Sequence, residues 1–118
     1  LPRPLVFPNK PVDRNLLESV RKHQQIIVEK QSLDLFTNPV TERLLRVLPP
    51  RAIVFGVTTE YCVKKACLGL RRMGVQTALV SDAICALAPK SETLALEEMR
   101  AAGVDCIPLE MLLGVGSK

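Results

Sequence analysis

Short apolar runs that alternate with helix-like segments constrain the fold of this chain more than any other feature. The runs are QIIVE at 25–29, AIVFG at 52–56, QTALV at 76–80 and DCIPL at 105–109. The segments between them are long enough for crossover helices, which is the pattern of a parallel sheet covered by helices on both faces. The sequence therefore predicts an α/β fold in which residues 1–118 form one domain.

Helix signals lie before, between and after these runs. Helices are predicted over about 14–23, 38–48, 60–73 and 91–102, with a short last helix at 110–113. Asp13 and Ser91 are expected to cap two of them. AIVFG is apolar at successive positions, as expected of a strand that is buried on both faces. The opening stretch LPRPLVFPNKPVD holds four prolines and is predicted to be extended along the surface.

Composition excludes several classes of function. The net charge is +4, but the basic residues are scattered and only 3% of residues are aromatic, which argues against a nucleic-acid surface. No apolar run approaches the ~18 residues of a membrane span. The four cysteines show no CxxC spacing, so neither a zinc site nor a disulfide framework is predicted. We expect no metal and no cofactor, and a reducing, cytoplasmic setting.

Three polar groups follow predicted strands at the point where each strand ends. Lys30 follows the first strand, Cys62 comes six residues after Gly56 at the end of the second, and Ser81-Asp82 follows the third. The carboxyl ends of parallel strands meet at one edge of a sheet, which is where ligands bind in such folds. These groups are therefore expected to share one edge.

Cys62 is a candidate nucleophile at this edge. It falls in the first turn of the predicted helix 60–73, where backbone N–H groups and the helix dipole favour a thiolate and could hold an oxyanion. The alternative is an inert buried cysteine, since free cysteine is among the most buried residue types. We expect the other three to lie in the core, namely Cys67, Cys85 and Cys106.

A Cys–His pair is not expected. His23 is the only histidine, and it precedes the first strand, so it belongs at the opposite edge. A strand of that length places it roughly 16 Å from the carboxyl edge. The base would then be a carboxylate. We expect Glu60 to be solvated in its turn, whereas Asp82 either takes part or caps the loop after its strand.

The segment GVTTEYCVKKA resembles the signature of the isochorismatase-like cysteine hydrolases, a superfamily that includes nicotinamidases, isochorismatases and N-carbamoylsarcosine amidases. Residues 56, 59, 60, 62 and 63 match its approximate pattern G-x-x-T-[DE]-x-C-V in register. VEKQSLDLF is similar to the family strand that ends in a catalytic lysine, and GVQTALVSDAICAL to the strand that follows. The resemblance covers roughly residues 20–112.

The resemblance implies a three-layer α/β/α, Rossmann-like fold and a Cys–Asp–Lys triad. It assigns the nucleophile to Cys62 and the lysine to Lys30, and it implies a cis peptide at Val57–Thr58. The backbone N–H groups of Thr58 and Cys62 would form the oxyanion hole. Phe36 and Tyr61 would contact a small-molecule substrate. Assembly into homo-oligomers is also implied by the family alone.

The sequence departs from the family pattern upstream. No residue before Lys30 matches the family aspartate, and the D-x-H-x-x-H metal motif of nicotinamidases and a Cys-x-x-Gly-Thr segment are both missing. We therefore expect this chain to be the C-terminal two-thirds of the family domain, without its N-terminal strand and helix.

Three functions follow from these residues. The leading hypothesis is a cysteine hydrolase of C–N amide-type bonds that acts through a thioester, as nicotinamidases do. The second is an isochorismatase-type vinyl-ether hydrolase. The third is a family member without catalytic activity that serves as a structural or partner-binding domain.

Overall fold

The computed structural model describes residues 3–113. The chain forms two compact units, one ending at Pro50 and the other beginning at Arg51. Each unit contains its own parallel sheet and its own apolar core. The α/β class predicted from the sequence is confirmed. The first two residues of the proline-rich opening stretch lie outside the described residues.

The first unit contains a two-stranded parallel sheet and two helices. Its elements are β1 (Leu5–Phe7), α1 (Leu16–Arg21), β2 (Ile26–Val28), a 3₁₀ turn (Leu35–Thr37) and α2 (Thr41–Val47). Strand β1 pairs with β2 in parallel, with Leu5 opposite Ile26 and Phe7 opposite Val28. The core contains Leu5 and the fully buried Phe7, packed with Leu16, Val40 and Leu44.

Two sequence predictions were wrong in the first unit. The opening stretch is not merely extended along the surface, because three of its residues form β1 and bury Phe7. Only three apolar residues stand in a row between its prolines. A run of this length is too short to identify a strand from its hydrophobic pattern. The α1 helix is capped by Asn15 rather than Asp13, and the Asn15 side chain accepts a hydrogen bond from the Glu18 N–H.

The second unit contains a three-stranded parallel sheet in the order β3-β4-β5. Its elements are β3 (Arg51–Val57), a π-helical turn (Thr59–Val63), α3 (Lys64–Arg72), β4 (Gln76–Cys85), α4 (Pro89–Ala101), β5 (Asp105–Ile107) and α5 (Leu109–Leu112). The predicted order of strands and helices is therefore present. The register between β3 and β4 shifts between Val54 and Gly56, and β4 continues beyond the predicted end of its strand to Cys85.

The core of this unit lies between the sheet and helices α3 and α4. Buried residues of this core are Val63, Cys67, Leu79, Ala95, Met99 and Val104. Helix α4 begins at Pro89, whose missing N–H suits the first helical position, and not at a cap formed by Ser91 as predicted. Ala88 is its N-cap residue and makes no side-chain cap hydrogen bond.

Strand β3 is not buried on both faces, contrary to the prediction. Exposure alternates along it, and Ile53, Phe55 and Val57 are all exposed, Phe55 at 69%. An unbroken apolar run is consistent with burial on both faces, but it does not reveal how much of each face is covered. No helix within residues 3–113 has the length and apolar character that a membrane crossing requires.

Candidate functional site

The segment after β3 leaves the sheet through a sharp change of direction. Gly56 has a φ of +115°, which is a backbone conformation that residues with a Cβ rarely adopt. One residue further on, the peptide bond between Val57 and Thr58 is cis. Thr58 is then the N-cap residue of the π-helical turn Thr59–Val63. The positive φ therefore explains why this position is a glycine.

Cys62 lies in this π-helical turn and is partly exposed. The carbonyl of Thr58 accepts hydrogen bonds from the N–H groups of Tyr61 and Val63, at 3.1 Å each, and the Lys64 N–H bonds to the carbonyl of Thr59. The predicted helix 60–73 thus begins as a wider turn and becomes α-helical only at Lys64. Single turns of this kind occur often at functional sites.

Glu60 joins the turn to the segment that precedes α4. Its carboxylate accepts hydrogen bonds from the Leu87 N–H at 3.0 and 3.1 Å and from the Ala88 N–H at 3.3 Å. Only 7% of Glu60 is exposed, so the expectation of a solvated side chain was wrong. Burial raises the pKa of Glu60, but hydrogen bonds from backbone N–H groups outweigh it and lower the pKa below 4.5.

Two further side chains tie this region to α4. The buried Thr59 hydroxyl donates to Glu92 Oε2 at 3.3 Å. Lys64 Nζ lies 3.3 Å from Glu98 Oε1 in an ion pair that is partly exposed, and which therefore adds little stability. Thr59, Glu60 and Lys64 thus hold the region around Cys62 against α4 and the segment that precedes it.

The other cysteines differ from one another in burial. Cys67 is fully buried in the core, and burial together with the nearby Cys106 thiol raises its pKa to about 11. Cys106 is only partly buried, and Cys85 is exposed at the end of β4, next to Val57 in the ladder. The prediction of a core position therefore holds for Cys67 and is wrong for Cys85. Since β4 is longer than predicted, Cys85 reaches the carboxyl edge.

Asp82 lies within β4 and not after its end. Its Oδ1 accepts a hydrogen bond from the N–H of Leu109, the first residue of α5, at 2.9 Å. The carboxylate thereby fixes the junction between β5 and α5. Asp82 was predicted either to take part in the chemistry or to cap the loop after its own strand; the observed bond is instead to the first residue of α5.

Lys30 belongs to the first unit and follows β2 by two residues. The side chain is exposed, and its ammonium donates to the carbonyl of Ser32 at 3.0 Å. Cys62 belongs to the second unit, so the predicted pairing of these two side chains at one edge stays a prediction. His23 lies between α1 and β2, before the amino end of β2, and its Nδ1–H donates to the Ser19 carbonyl at 2.7 Å.

Asn38 organises the carboxyl ends of β1 and β2, a role that sequence reasoning missed. Its side-chain amide donates to the carbonyls of Phe7, Pro8 and Glu29 at 3.3, 3.2 and 2.7 Å, and its Oδ1 accepts from the Val40 N–H at 2.9 Å. Asn38 is 1% exposed. The Asn-Pro pair indicated only a helix start, and nothing in its spacing linked it to the residue before Lys30.

The two residues predicted to contact substrate also lie in separate units. Phe36 is in the 3₁₀ turn and half-buried, and its N–H donates to Asp34 Oδ1 at 2.9 Å. Tyr61 is in the π-helical turn and 43% exposed. Within residues 3–113 no three His, Cys, Asp or Glu side chains are grouped so that they could hold a metal ion. We therefore assign no metal site to these residues.

Comparison with protein families gives one match that covers nearly the whole chain. The model of the Isochorismatase domain matches residues 2–111 and so spans both units. Comparison with proteins of curated function gives no match.

Solved structures with the same fold include several amidases. The pyrazinamidase of Pyrococcus horikoshii in complex with zinc is 26% identical, with a TM-score of 0.64 over 72% of this chain and 52% of that one. An isochorismatase family protein of Desulfovibrio vulgaris is 23% identical, with a TM-score of 0.69 over 80% and 50%. The nicotinamidase of Staphylococcus aureus is 18% identical, with a TM-score of 0.63 over 78% and 59%. The chain thus spans about half the length of these structures.

Proposed function

Because this chain belongs to the isochorismatase family and has its hydrolase fold, we propose that it cleaves a C–N amide-type bond of a small molecule with Cys62 as the nucleophile. The observation that carries this proposal is the position of Cys62. It is the partly exposed thiol in a π-helical turn directly beyond the carboxyl end of β3, where ligands bind in parallel sheets.

The chemistry follows from this position. The Cys62 thiolate attacks the carbonyl carbon, the amine or ammonia leaves with a proton, and water then hydrolyses the thioester to a carboxylic acid. We assign the oxyanion to the backbone N–H groups of Thr58 and Cys62. Lys30 supports the negative charge, and the proton of the thiol passes to the family's aspartate. The sequence of this chain before Lys30 does not match that aspartate.

The substrate is an uncharged small amide in this proposal. Amidase names among the similar structures, a pyrazinamidase and a nicotinamidase, support the reaction class. Phe36 and Tyr61 are proposed to pack against the substrate, since aromatic side chains line most small-molecule sites. The proposal needs no cofactor and no metal, and it places the protein in a reducing, cytoplasmic compartment where Cys62 stays a free thiol.

A vinyl-ether hydrolase is the second candidate, favoured by the description of the matched family model as an Isochorismatase domain. The two candidates give different products, since an amide releases ammonia whereas isochorismate releases pyruvate. Both differ from a structural or partner-binding family member, which would release neither.

The test uses the full-length protein that contains this chain. Ammonia release from nicotinamide and pyrazinamide and pyruvate release from isochorismate are measured for the wild type, Cys62→Ala, Lys30→Ala and Cys85→Ala. We expect ammonia release that falls at least about 1,000-fold in Cys62→Ala, because the covalent route is lost, and that is retained in Cys85→Ala. Pyruvate without ammonia would favour the second candidate, and neither product with any substrate would contradict both.

A further inference from the structure

A cavity lies in the second unit, at the edge of the sheet opposite to Cys62. It has a volume of about 820 Å³. Arg51, Gln76 and Asp105, the first residues of the three strands, all line it, so it opens at the amino ends of β3, β4 and β5. Strand β3 separates this edge from the Cys62 turn by roughly 20 Å, at about 3.3 Å per residue.

The cavity combines an apolar lining with two guanidinium groups. Ile53, Ile107 and Leu112 contribute apolar surface, while Arg51 and Arg100 contribute positive charge. Neither arginine makes a side-chain hydrogen bond or an ion pair to any residue within 3–113. Arg100 lies in the last turn of α4, where the negative end of the helix dipole favours a cation.

We propose that this cavity binds a small organic carboxylate with an apolar body. A guanidinium group can bind a carboxylate through two parallel hydrogen bonds, and each of the two arginines carries such a group. A volume of about 820 Å³ is within the range of small-molecule sites. The apolar lining then receives the body of the ligand, which removes its apolar surface from water.

The charge of the lining favours a monoanion. Asp105 carries a negative charge beside the two positive ones, so the charged residues of the cavity sum to +1. A phosphate monoester carries between one and two negative charges near neutral pH, so its second charge would lack a positive partner in the cavity and would lose hydration on binding. A carboxylate with one negative charge matches the +1 lining and loses less hydration.

The test is a titration of the ¹⁵N-labelled full chain with 4-phenylbutyrate, followed by NMR. We expect saturable shifts of the backbone N–H signals of Ala78, Ile107 and Leu112, which all line the cavity. The neutral 4-phenylbutyramide should bind about tenfold more weakly, because it forms no charge-assisted hydrogen bond with the arginines. Phenyl phosphate should also bind more weakly than 4-phenylbutyrate.

Variants then separate charge recognition from unspecific apolar binding. Arg51→Gln and Arg100→Gln should each weaken 4-phenylbutyrate binding about tenfold. The control Lys90→Gln removes the same charge from an exposed residue that does not line the cavity. The proposal is overturned if 4-phenylbutyrate causes no saturable shift in the wild type, if the amide binds equally well, or if the arginine variants bind as Lys90→Gln does.

Discussion

The carboxylate of Glu60 is the group that most directly holds the Cys62 turn in place. It accepts hydrogen bonds from two successive backbone N–H groups before α4 and is almost fully buried. Such an acceptor works best when ionised, since hydrogen bonds to a charged group are stronger than those between neutral groups. The family motif accepts Asp or Glu at this position, and the observed contacts explain why an acid suits it.

Glu60→Gln should lower the thermal stability in a way that depends on pH. The pKa of Glu60 is lower in the folded protein than the ordinary 4.5, so its ionised form stabilises the fold above that value. This contribution disappears as the pH falls through the lowered pKa. The gap in melting temperature between the wild type and Glu60→Gln should therefore be largest above about pH 5 and should shrink as the pH falls below 4.5.

The control for this experiment is Glu97→Gln, which changes an exposed glutamate of α4 in the same way. Its melting temperature should follow that of the wild type at every pH. Differential scanning calorimetry across this range makes the measurement. A gap for Glu60→Gln that is the same at low and neutral pH would contradict an ionised Glu60.

At the scale of elements, Asn38 joins β1, β2 and the start of α2 through one side chain. Three backbone carbonyls accept from its amide, and the bond to the Phe7 carbonyl is buried. Because Glu29 directly precedes Lys30, the same bond fixes the backbone at which the lysine leaves the sheet. The stability of the first unit and the placement of Lys30 are therefore coupled.

Asn38→Ala should reduce the free energy of unfolding by about 1–3 kcal/mol, because it removes a buried hydrogen-bonding group from its partners. Urea titration followed by circular dichroism measures the change. Gln24→Ala is the matched control, since Gln24 is an exposed amide before β2 and its loss should cost less than about 0.5 kcal/mol. Equal midpoints for the two variants would contradict the role given to Asn38.

Periodicity and turn residues were sufficient to predict most elements of the second unit. They predicted α3 from its apolar stripe at helical spacing, and α4 from the cap and glycine signals at its two ends, although α4 begins two residues before Ser91. They missed β1, because its three residues lie between prolines and are too few to show the alternating pattern of a strand. They also could not show that Cys62 lies in a π-helical turn, since this depends on which carbonyl each N–H reaches. Likewise, the backbone N–H groups that donate to Glu60 and Asp82 are 27 residues away along the chain.

At the scale of the whole molecule, the match to the family spans both units, whereas the chain spans about half the length of the similar solved structures. The prediction that residues 1–118 behave as one domain remains open to test by unfolding. Of the residues in the proposed catalytic mechanism, Lys30 and Phe36 belong to the first unit and Cys62 and Tyr61 to the second.

We propose that the protein forms homo-oligomers, as the family resemblance implies. Size-exclusion chromatography with light scattering should give a mass of two or more whole full-length chains that stays constant over a tenfold dilution. Most soluble oligomers are closed and symmetric, so a single well-defined species is expected. A mass equal to one chain at all concentrations would contradict the proposal.

The central claim, that Cys62 is the nucleophile, is tested most directly by its rate of alkylation. The full-length protein is treated with iodoacetamide at pH 7.5, and the modified cysteines are identified over time by peptide mass spectrometry. Cys67 should not react, because burial raises its pKa to about 11 and keeps it protonated. Cys85, an exposed thiol, is the internal reference.

The account predicts that Cys62 is modified at least about tenfold faster than Cys85, as expected of a thiol activated for attack. Activity should be lost at the same rate as Cys62 is modified, also in the Cys85→Ala variant. If Cys62 reacts no faster than Cys85, or if activity survives its complete modification, Cys62 is not the nucleophile.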